Sequence, residues 1–219
     1  NPVPGYLNPN SESLAMSHLP NSWPIGGWRD QPTYIDDEGK TLWNGYFGRG
    51  ITNADQESYF VADDQWFDKF NSNFLPDSLD PTRKGMGLSM KVRGFQWASF
   101  LAEDVLFWLY DITNEGTTLY RKAVFGTIVG GVVGGDGDSD DDLAYFDITE
   151  SITYTWDSDG VGNRGQRVGY CGYAFLESPG NPFDGIDNDG SSVDPNSPRF
   201  QKANFDAIIY NAGDRVVLI

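Results

Sequence analysis

Apolar and polar residues alternate along several short segments of this chain, as they do in β-strands with one buried face. The segment 88–93 alternates Leu, Met and Val with Ser, Lys and Arg. The segment 148–156 is the clearest case, because Ile, Tyr and Trp alternate there with Thr and Ser. Residues 105–110 are continuously apolar or aromatic, which predicts a central strand covered on both faces.

Other segments complete a mainly β pattern. Residues 42–47 predict a hairpin with Asn44-Gly45 as its two-residue turn, since this pair accepts positive φ angles. Residues 54–70 fit either a short helix or a strand and loop, and no other stretch favours a helix of any length. Turns rich in Gly and Asp separate the segments, so we expect an antiparallel β-sandwich of jelly-roll or immunoglobulin-like type. Further strands are predicted at 120–129, 169–176, 205–210 and 214–219.

The first 37 residues differ from the rest of the chain. Six prolines interrupt any helix there, while large aromatic residues recur. We predict an irregular N-terminal arm at 1–37 and a sandwich domain at 38–219. The arm is expected to cover its own domain, and docking on a neighbouring subunit is the alternative. The apolar end at 216–219 suggests that the domain is a segment of a longer polypeptide.

The charge of the chain excludes several classes of function. The formal net charge is −17, and Asp accounts for 25 of the 32 acidic residues. Such a surface repels nucleic acids and anionic membranes, and no apolar run reaches the length of a membrane span.

A single cysteine, Cys171, excludes an internal disulfide and is expected to be buried and inert. With His18 as the sole histidine, neither a typical zinc site nor a histidine-dependent catalytic centre is expected.

Aspartate is concentrated in three loops, at 136–142, 157–160 and 184–194. Carboxylates crowded on a tight backbone repel one another unless a hard cation neutralises them, and Ca²⁺ accepts six to eight oxygens in flexible geometry. The first loop has acids at positions one, three, five and twelve of an EF-hand count, but lacks its glycine, its final Glu and its flanking helices. We therefore predict calcium loops between strands, with the second loop the weakest candidate. The predicted ligands are Asp136, Asp138, Asp140, Asp142 and Asp147 in the first loop and Asp184, Asp187, Asp189 and Asp194 in the third.

Carboxylate pairs also hydrolyse glycosidic bonds, and the Trp and Tyr residues of this chain are suited to stacking on sugars. The glutamates Glu57, Glu103, Glu150 and Glu177 are the candidates for such a pair. Their positions in the sequence do not indicate whether any two of them approach each other.

Two motifs resemble a known family. Residues 53–64 (NADQESYFVADD) and 176–190 (LESPGNPFDGIDNDG), together with Ala102-Glu103-Asp104 and the segment ending at Ile112-Thr113-Asn114, are similar to large, uncharacterised secreted bacterial proteins. Members of that family often carry a type IX secretion sorting domain. The resemblance implies export and a location outside the cell, and it implies no activity. The third acidic loop also resembles the calcium loops of thrombospondin type 3 repeats, although Ser191-Ser192 interrupts that pattern.

These observations favour a calcium-stabilised structural or adhesive module, secreted or at the cell surface, and without catalytic activity. Its expected partners are other copies of the chain in a surface assembly or filament, or other domains of the same polypeptide. The alternative is a carbohydrate-binding module that recognises a polysaccharide, and a glycoside hydrolase ranks third. No interaction with nucleic acid and no membrane insertion are expected.

Overall fold

The computed structural model describes residues 2–68, 74–120, 125–128, 131–147, 149–150, 152–174 and 176, and the backbone of 215–218. The predicted mainly β, antiparallel fold is confirmed. The predicted strand at 205–210 lies outside the described residues. No helix in the described ranges is long and apolar enough to cross a membrane.

Ten strands occur in the described residues. They are β1 (Ala15–Met16), β2 (Asn44–Gly45), β3 (Gly48–Arg49), β4 (Gln56–Asp63), β5 (Leu88–Gln96), β6 (Leu106–Asn114), β7 (Asp142–Asp147), β8 (Ile152–Asp157), β9 (Tyr170–Ala174) and β10 (Arg215–Leu218). They form a five-stranded sheet in the order β1-β4-β5-β6-β10, a three-stranded sheet β7-β8-β9, and the small ladder β2-β3. A short 3-10 turn lies at Pro20–Ser22.

The chain divides into two compact units. Unit 1 comprises Asn1–Ala123 and Asp206–Ile219, and unit 2 comprises Val124–Phe205. Unit 1 contains the five-stranded sheet, in which β10 from the second segment pairs with β6 from the first. Unit 2 contains the three-stranded sheet, so it is an insertion between two neighbouring strands of unit 1. The predicted arm, residues 1–37, belongs to unit 1.

The N-terminal arm packs on its own sheet. Its residues Tyr6, Ala15 and Trp28 join Trp43 and Tyr59 in the buried core. The indole N–H of Trp28 donates to the carbonyl of Leu42 at 2.7 Å, and β1 adds an edge strand to β4. The arm therefore covers its own domain, as the sequence favoured.

Polar side chains under the arm are paired with one another. Asp30 of the arm accepts from the Tyr59 hydroxyl at 2.8 Å and from Lys91 Nζ at 2.9 Å. Arg93 lies 4.0 Å from the centroid of the Tyr59 ring and donates to the carbonyl of Asn44 at 2.6 Å. These contacts, together with the aromatic core, hold the arm in one position on the sheet.

The hairpin near residue 45 has a different turn from the predicted one. Asn44 and Gly45 lie in β2, and the two residues Tyr46 and Phe47 connect β2 to β3. The reason is tertiary. The Asn44 side chain donates to Asp30 at 3.1 Å, and a Cβ on Gly45 would collide with the carbonyl of Ile51.

Two strand predictions need correction. Residues 120 and 125–128 have no regular secondary structure, so the predicted strand at 120–129 is wrong over its described part. The strand predicted at 105–110 exists as β6 and is central in its sheet, but it is not covered on both faces. Leu106 is exposed and residues 107–110 are half-buried. A continuous apolar run indicates a strand more safely than it indicates burial.

The expectation that Cys171 is buried is also wrong. Cys171 lies in β9, the last strand in the order β7-β8-β9, and all five residues of this strand are exposed. We expect a thiol reagent to label Cys171 rapidly in the folded protein, at a rate close to that of the same thiol in denaturant. A labelling rate slowed about a hundredfold in the native state would contradict this exposure, since protection then reports an opening step.

Candidate metal centre

Two aspartates of unit 2 face each other where β7 begins and β8 ends. Asp142 is the first residue of β7, Asp157 is the last residue of β8, and the two are Cα partners in the antiparallel register. Cross-strand partners project from the same face of a sheet. Like charges in this arrangement destabilise the strand pair unless a counter-charge lies nearby.

The glycine-rich segment 134–138 brings a third aspartate to the same place. Gly134 has a φ of 101°, which residues with a side chain rarely adopt, and a Cβ there would collide with the carboxylate of Asp138. The preceding residue Val133 is buried, and its N–H donates to Asp142 Oδ2 at 3.1 Å. The segment thus turns back onto the sheet and places Asp138 beside the strand pair.

Three carboxylates converge at this point. Asp138, Asp141 and Asp157 each offer an oxygen, and these oxygens all lie within 4.8 Å of one another. The hydroxyl of Ser158 donates to Asp141 Oδ2 at 2.7 Å. Three oxygens at the site are buried without a hydrogen-bond partner, one each from Asp138, Asp142 and Asp157. Buried carboxylate oxygens without a partner are costly, and a bound cation would compensate them.

Asp157 is the most enclosed of these residues, with 5% of its surface exposed. Its Oδ1 accepts the backbone N–H groups of Asp159, Gly160 and Val161 at 3.1, 2.6 and 3.2 Å. Its Oδ2 is the oxygen that has no partner. The backbone of the second acidic loop therefore fixes one oxygen of Asp157 and leaves the other available to a cation.

The pKa values at the site shift in opposite directions. Burial raises the pKa of the Asp138 carboxyl above its usual value, and the negative charges of Asp157 and Asp141 raise it further. Burial acts in the same direction on Asp157, but the hydrogen bonds from Gly160 and Val161 outweigh it and hold its pKa below the usual value. Asp157 is therefore held as a carboxylate. The ionisation of Asp138, by contrast, is opposed by its burial and by the negative charges beside it.

Cation binding should consequently weaken in acid. A cation requires Asp138 as a carboxylate, and the raised pKa means that Asp138 takes up a proton at a higher pH than an ordinary Asp. Ionisation of Asp138 without a cation lowers folded-state stability as pH rises through this raised pKa. The ionisation of Asp157 affects folded-state stability in the opposite direction. Its stabilising contribution is lost only as pH falls through its lowered pKa.

We expect the affinity for a divalent cation, measured by calorimetric titration, to fall as pH is lowered from neutral, and to begin falling at a higher pH than an ordinary Asp ligand would give. An affinity that stays constant until pH reaches the usual titration range of Asp would contradict the role of Asp138.

The structure brings together part of the predicted first loop. Asp138 belongs to the triad, and Asp142 lies opposite Asp157 with one unpartnered buried oxygen. Asp136 and Asp140 are exposed and are not in the triad. The predicted ligands of the third loop lie outside the described residues; they are Asp184, Asp187, Asp189 and Asp194.

Asp147 lies at the far end of β7 from the triad. Its Oδ1 accepts the backbone N–H groups of Thr149 at 2.8 Å and Glu150 at 3.2 Å, which makes it part of a local turn. The EF-hand count placed Asp147 at position twelve, but residues 142–147 form an extended strand that carries it away from the other acids. A strand rises about 3.3 Å per residue, so the two ends of β7 lie about 16 Å apart.

Two members of the triad were not among the predicted ligands. Asp141 stood at the position where an EF-hand requires glycine, and Asp157 belonged to the loop judged weakest. A signal for β7 was present in the short apolar run at 143–146 (Leu-Ala-Tyr-Phe), but the acidic residues on both sides of it drew the interpretation toward a loop. With β7 recognised, pairing it to the clear strand β8 places Asp142 and Asp157 together.

The glutamates considered for sugar hydrolysis do not form a described pair. Glu57 is 1% exposed, and its carboxylate accepts the indole N–H of Trp43 at 2.9 Å and the backbone N–H of Ala54 at 3.1 Å. Glu103 and Glu150 are exposed, and Glu177 lies outside the described residues. Glu57 thus acts as a buried acceptor in the core of unit 1.

Comparison with known proteins finds no matching family model. It also finds no curated protein and no solved structure with significant similarity to this chain. The likeness of two motifs to secreted bacterial proteins therefore stays a prediction.

Proposed function

We propose that this protein is an extracellular module whose fold is stabilised by calcium, and that it serves as a structural or adhesive part of a surface assembly. The observation that carries the proposal is the convergence of Asp138, Asp141 and Asp157, with unpartnered oxygens on Asp138 and Asp157. Asp142 supplies a further unpartnered oxygen across the strand pair. A calcium ion bound here would need further oxygens, such as backbone carbonyls or water, to reach its usual six to eight ligands.

The donor set favours calcium over other common metals. All three donors are carboxylates, and neither His18 nor Cys171 belongs to the cluster, whereas zinc sites usually contain nitrogen or sulfur ligands. Magnesium retains most of its water and requires near-octahedral geometry. Carboxylates from a loop and from the end of a strand suit the larger and more tolerant coordination shell of calcium.

The proposed location outside the cell is supported by other observations than the acidic cluster. Extracellular calcium modules bind at roughly 10⁻⁴ to 10⁻³ M, a concentration range that the cytosol does not supply. The net charge of −17 disfavours nucleic acid as a partner. The resemblance to secreted bacterial proteins agrees with a surface role, in which the partners are other copies of the chain or other domains of the same polypeptide.

The test is a melting curve in millimolar calcium, in millimolar magnesium and in excess chelator, together with elemental analysis of the purified protein. At calcium about ten times above Kd, one site contributes about 1.4 kcal/mol, which raises the melting temperature by several degrees. We expect magnesium to reproduce only a small part of this increase. Superimposable curves together with no bound calcium would refute the proposal.

A second candidate is polysaccharide binding, favoured by an aromatic face on the three-stranded sheet. Tyr145, Tyr154, Trp156 and Tyr170 occupy one face in the observed register, opposite to the face of Asp142. The Trp156 and Tyr170 rings lie 5.8 Å apart with planes inclined by 27°, and Tyr170 is 73% exposed. Aromatic side chains combine apolar area with polar edges, which suits neutral sugar rings.

Sedimentation with insoluble polysaccharides tests this candidate directly. Retention of the native chain but not of Trp156→Ala on a neutral polysaccharide would support it. Equal retention of both proteins, or of neither, would remove it.

A further inference from the structure

The described part of unit 2 encloses carboxylates rather than an apolar core. Val133 is the one apolar side chain that is buried among its described residues, and the polar residues Thr155 and Asp157 are buried as well. The four middle residues of β7 and all five residues of β9 are exposed. In unit 1, by contrast, a buried cluster centred on Trp28 and Tyr59 supports the sheet. Over their described residues, unit 1 is therefore supported by apolar burial, whereas unit 2 encloses carboxylates.

The enclosed carboxylates come from two stretches of unit 2 that are separated in the sequence. Asp138, Asp141 and Asp142 lie at 138–142, up to the first residue of β7, and Asp157 is the last residue of β8. Without a counter-charge, folding brings these negative groups together and buries three of their oxygens without partners. A single divalent cation at this point would change the repulsion between these two stretches into attraction.

We propose that a calcium ion at this site is the condition for the order of β7, β8 and the loops that adjoin them, so that its release loosens these parts of unit 2 while unit 1 stays folded. The inference rests on the cation site of the proposed function and adds how that site regulates the molecule. Calcium then acts as a local switch on one unit rather than as a uniform stabiliser of the whole chain.

Hydrogen bonds connect the segment that contains Asp138 to the neighbouring loop at 162–166, so loss of the cation should loosen that loop as well. The carbonyl of Gly134 accepts from Gln166 Nε2 at 2.9 Å and from the N–H of Asn163 at 3.2 Å. The side chain of Asn163 also donates to the carbonyl of Asp136 at 2.7 Å. The loop around residues 162–166 is therefore held by the same segment that presents Asp138, and displacement of Asp138 loosens both.

Hydrogen exchange of the full-length chain, read by mass spectrometry in calcium and in chelator, tests the proposal. In chelator we expect exchange in peptides covering β7 and β8 to rise by about tenfold or more, since their opening free energy falls. Peptides covering β4, β5 and β6 should change by less than about twofold. Asp157→Asn should show the fast exchange of unit 2 even in calcium, whereas the matched control Glu150→Gln, which removes an exposed charge outside the cluster, should respond to calcium like the native chain.

Each other outcome overturns the inference. If calorimetry detects calcium binding but exchange changes equally in both units, or not at all in β7 and β8, the switch is refuted and the proposed function stands. If no calcium binds, the proposed function fails and the inference fails with it. If the native chain and Asp157→Asn respond to calcium alike, the site lies elsewhere.

Discussion

Asp138→Asn should lower the melting temperature of the protein in calcium and raise it in chelator. Under the proposed function the substitution removes a calcium ligand, so most of the expected calcium-dependent increase of several degrees should be lost. In chelator it removes a charge whose ionisation is opposed by burial and by Asp157 and Asp141, as the raised pKa of Asp138 indicates. Paired melting curves of the variant and the native chain in both buffers measure the two effects.

Asp140→Asn is the matched comparison, because it makes the same charge change in the same loop. Asp140 is not a member of the triad, so we expect its variant to keep most of the calcium-dependent increase. If Asp138→Asn and Asp140→Asn lose equal parts of the calcium-dependent increase in melting temperature, the alternating aspartates of the first loop would be the ligands, as the EF-hand count predicted. A decrease of stability in chelator for Asp138→Asn would contradict the repulsion inferred at the site.

Trp28→Ala should destabilise unit 1 by about 3–5 kcal/mol, the usual cost of truncating a buried Trp. Trp28 is 1% exposed, its ring lies 5.6 Å from that of Trp43 and 5.5 Å from that of Tyr59, and its indole N–H is hydrogen-bonded to Leu42. Urea denaturation followed by near-ultraviolet circular dichroism measures the loss, because the packed aromatic residues dominate that signal.

Trp28→Phe separates packing from hydrogen bonding. It retains an aromatic ring and leaves the carbonyl of Leu42 without its donor, so we expect a smaller loss of about 1–3 kcal/mol. A cost below about 1 kcal/mol for Trp28→Ala would mean that the arm is not part of the core. The alternative in which residues 1–37 dock on a neighbouring subunit would then be favoured.

Local patterns located two strands, because the period of two is a property of each strand alone. The alternation at 88–93 became β5, and that at 148–156 became β8 only from Ile152, since residues 149–150 form a turn. The pattern did not give the buried face of β8, where Thr155 and Asp157 are buried and the Ile, Tyr and Trp side chains are half-buried. The same reasoning failed at Asn44-Gly45. A strong turn signal was overridden there by contacts of Asn44 with Asp30 and Arg93, which lie far away in the sequence.

The candidate site shows the limit of such patterns more clearly. The sequence indicates that aspartates are concentrated and that a hard cation suits them, and Asp138 is common to the prediction and the triad. The grouping of Asp141 with Asp157 depends on the register between β7 and β8, which no local period encodes. The exposure of Cys171 likewise depends on which strand forms the edge of the sheet.

The strands β6 and β10 are hydrogen-bonded neighbours, yet the whole of unit 2 lies between them in the chain. Insertions are tolerated where their two ends emerge close together, because the host fold needs no rearrangement to accept them. In evolutionary terms, the connection from β6 to β10 is a place where a coding segment can be gained, exchanged or lost with the sheet order of unit 1 retained. The acidic cluster can thus diversify by recombination of one segment, independently of the aromatic core that supports its host.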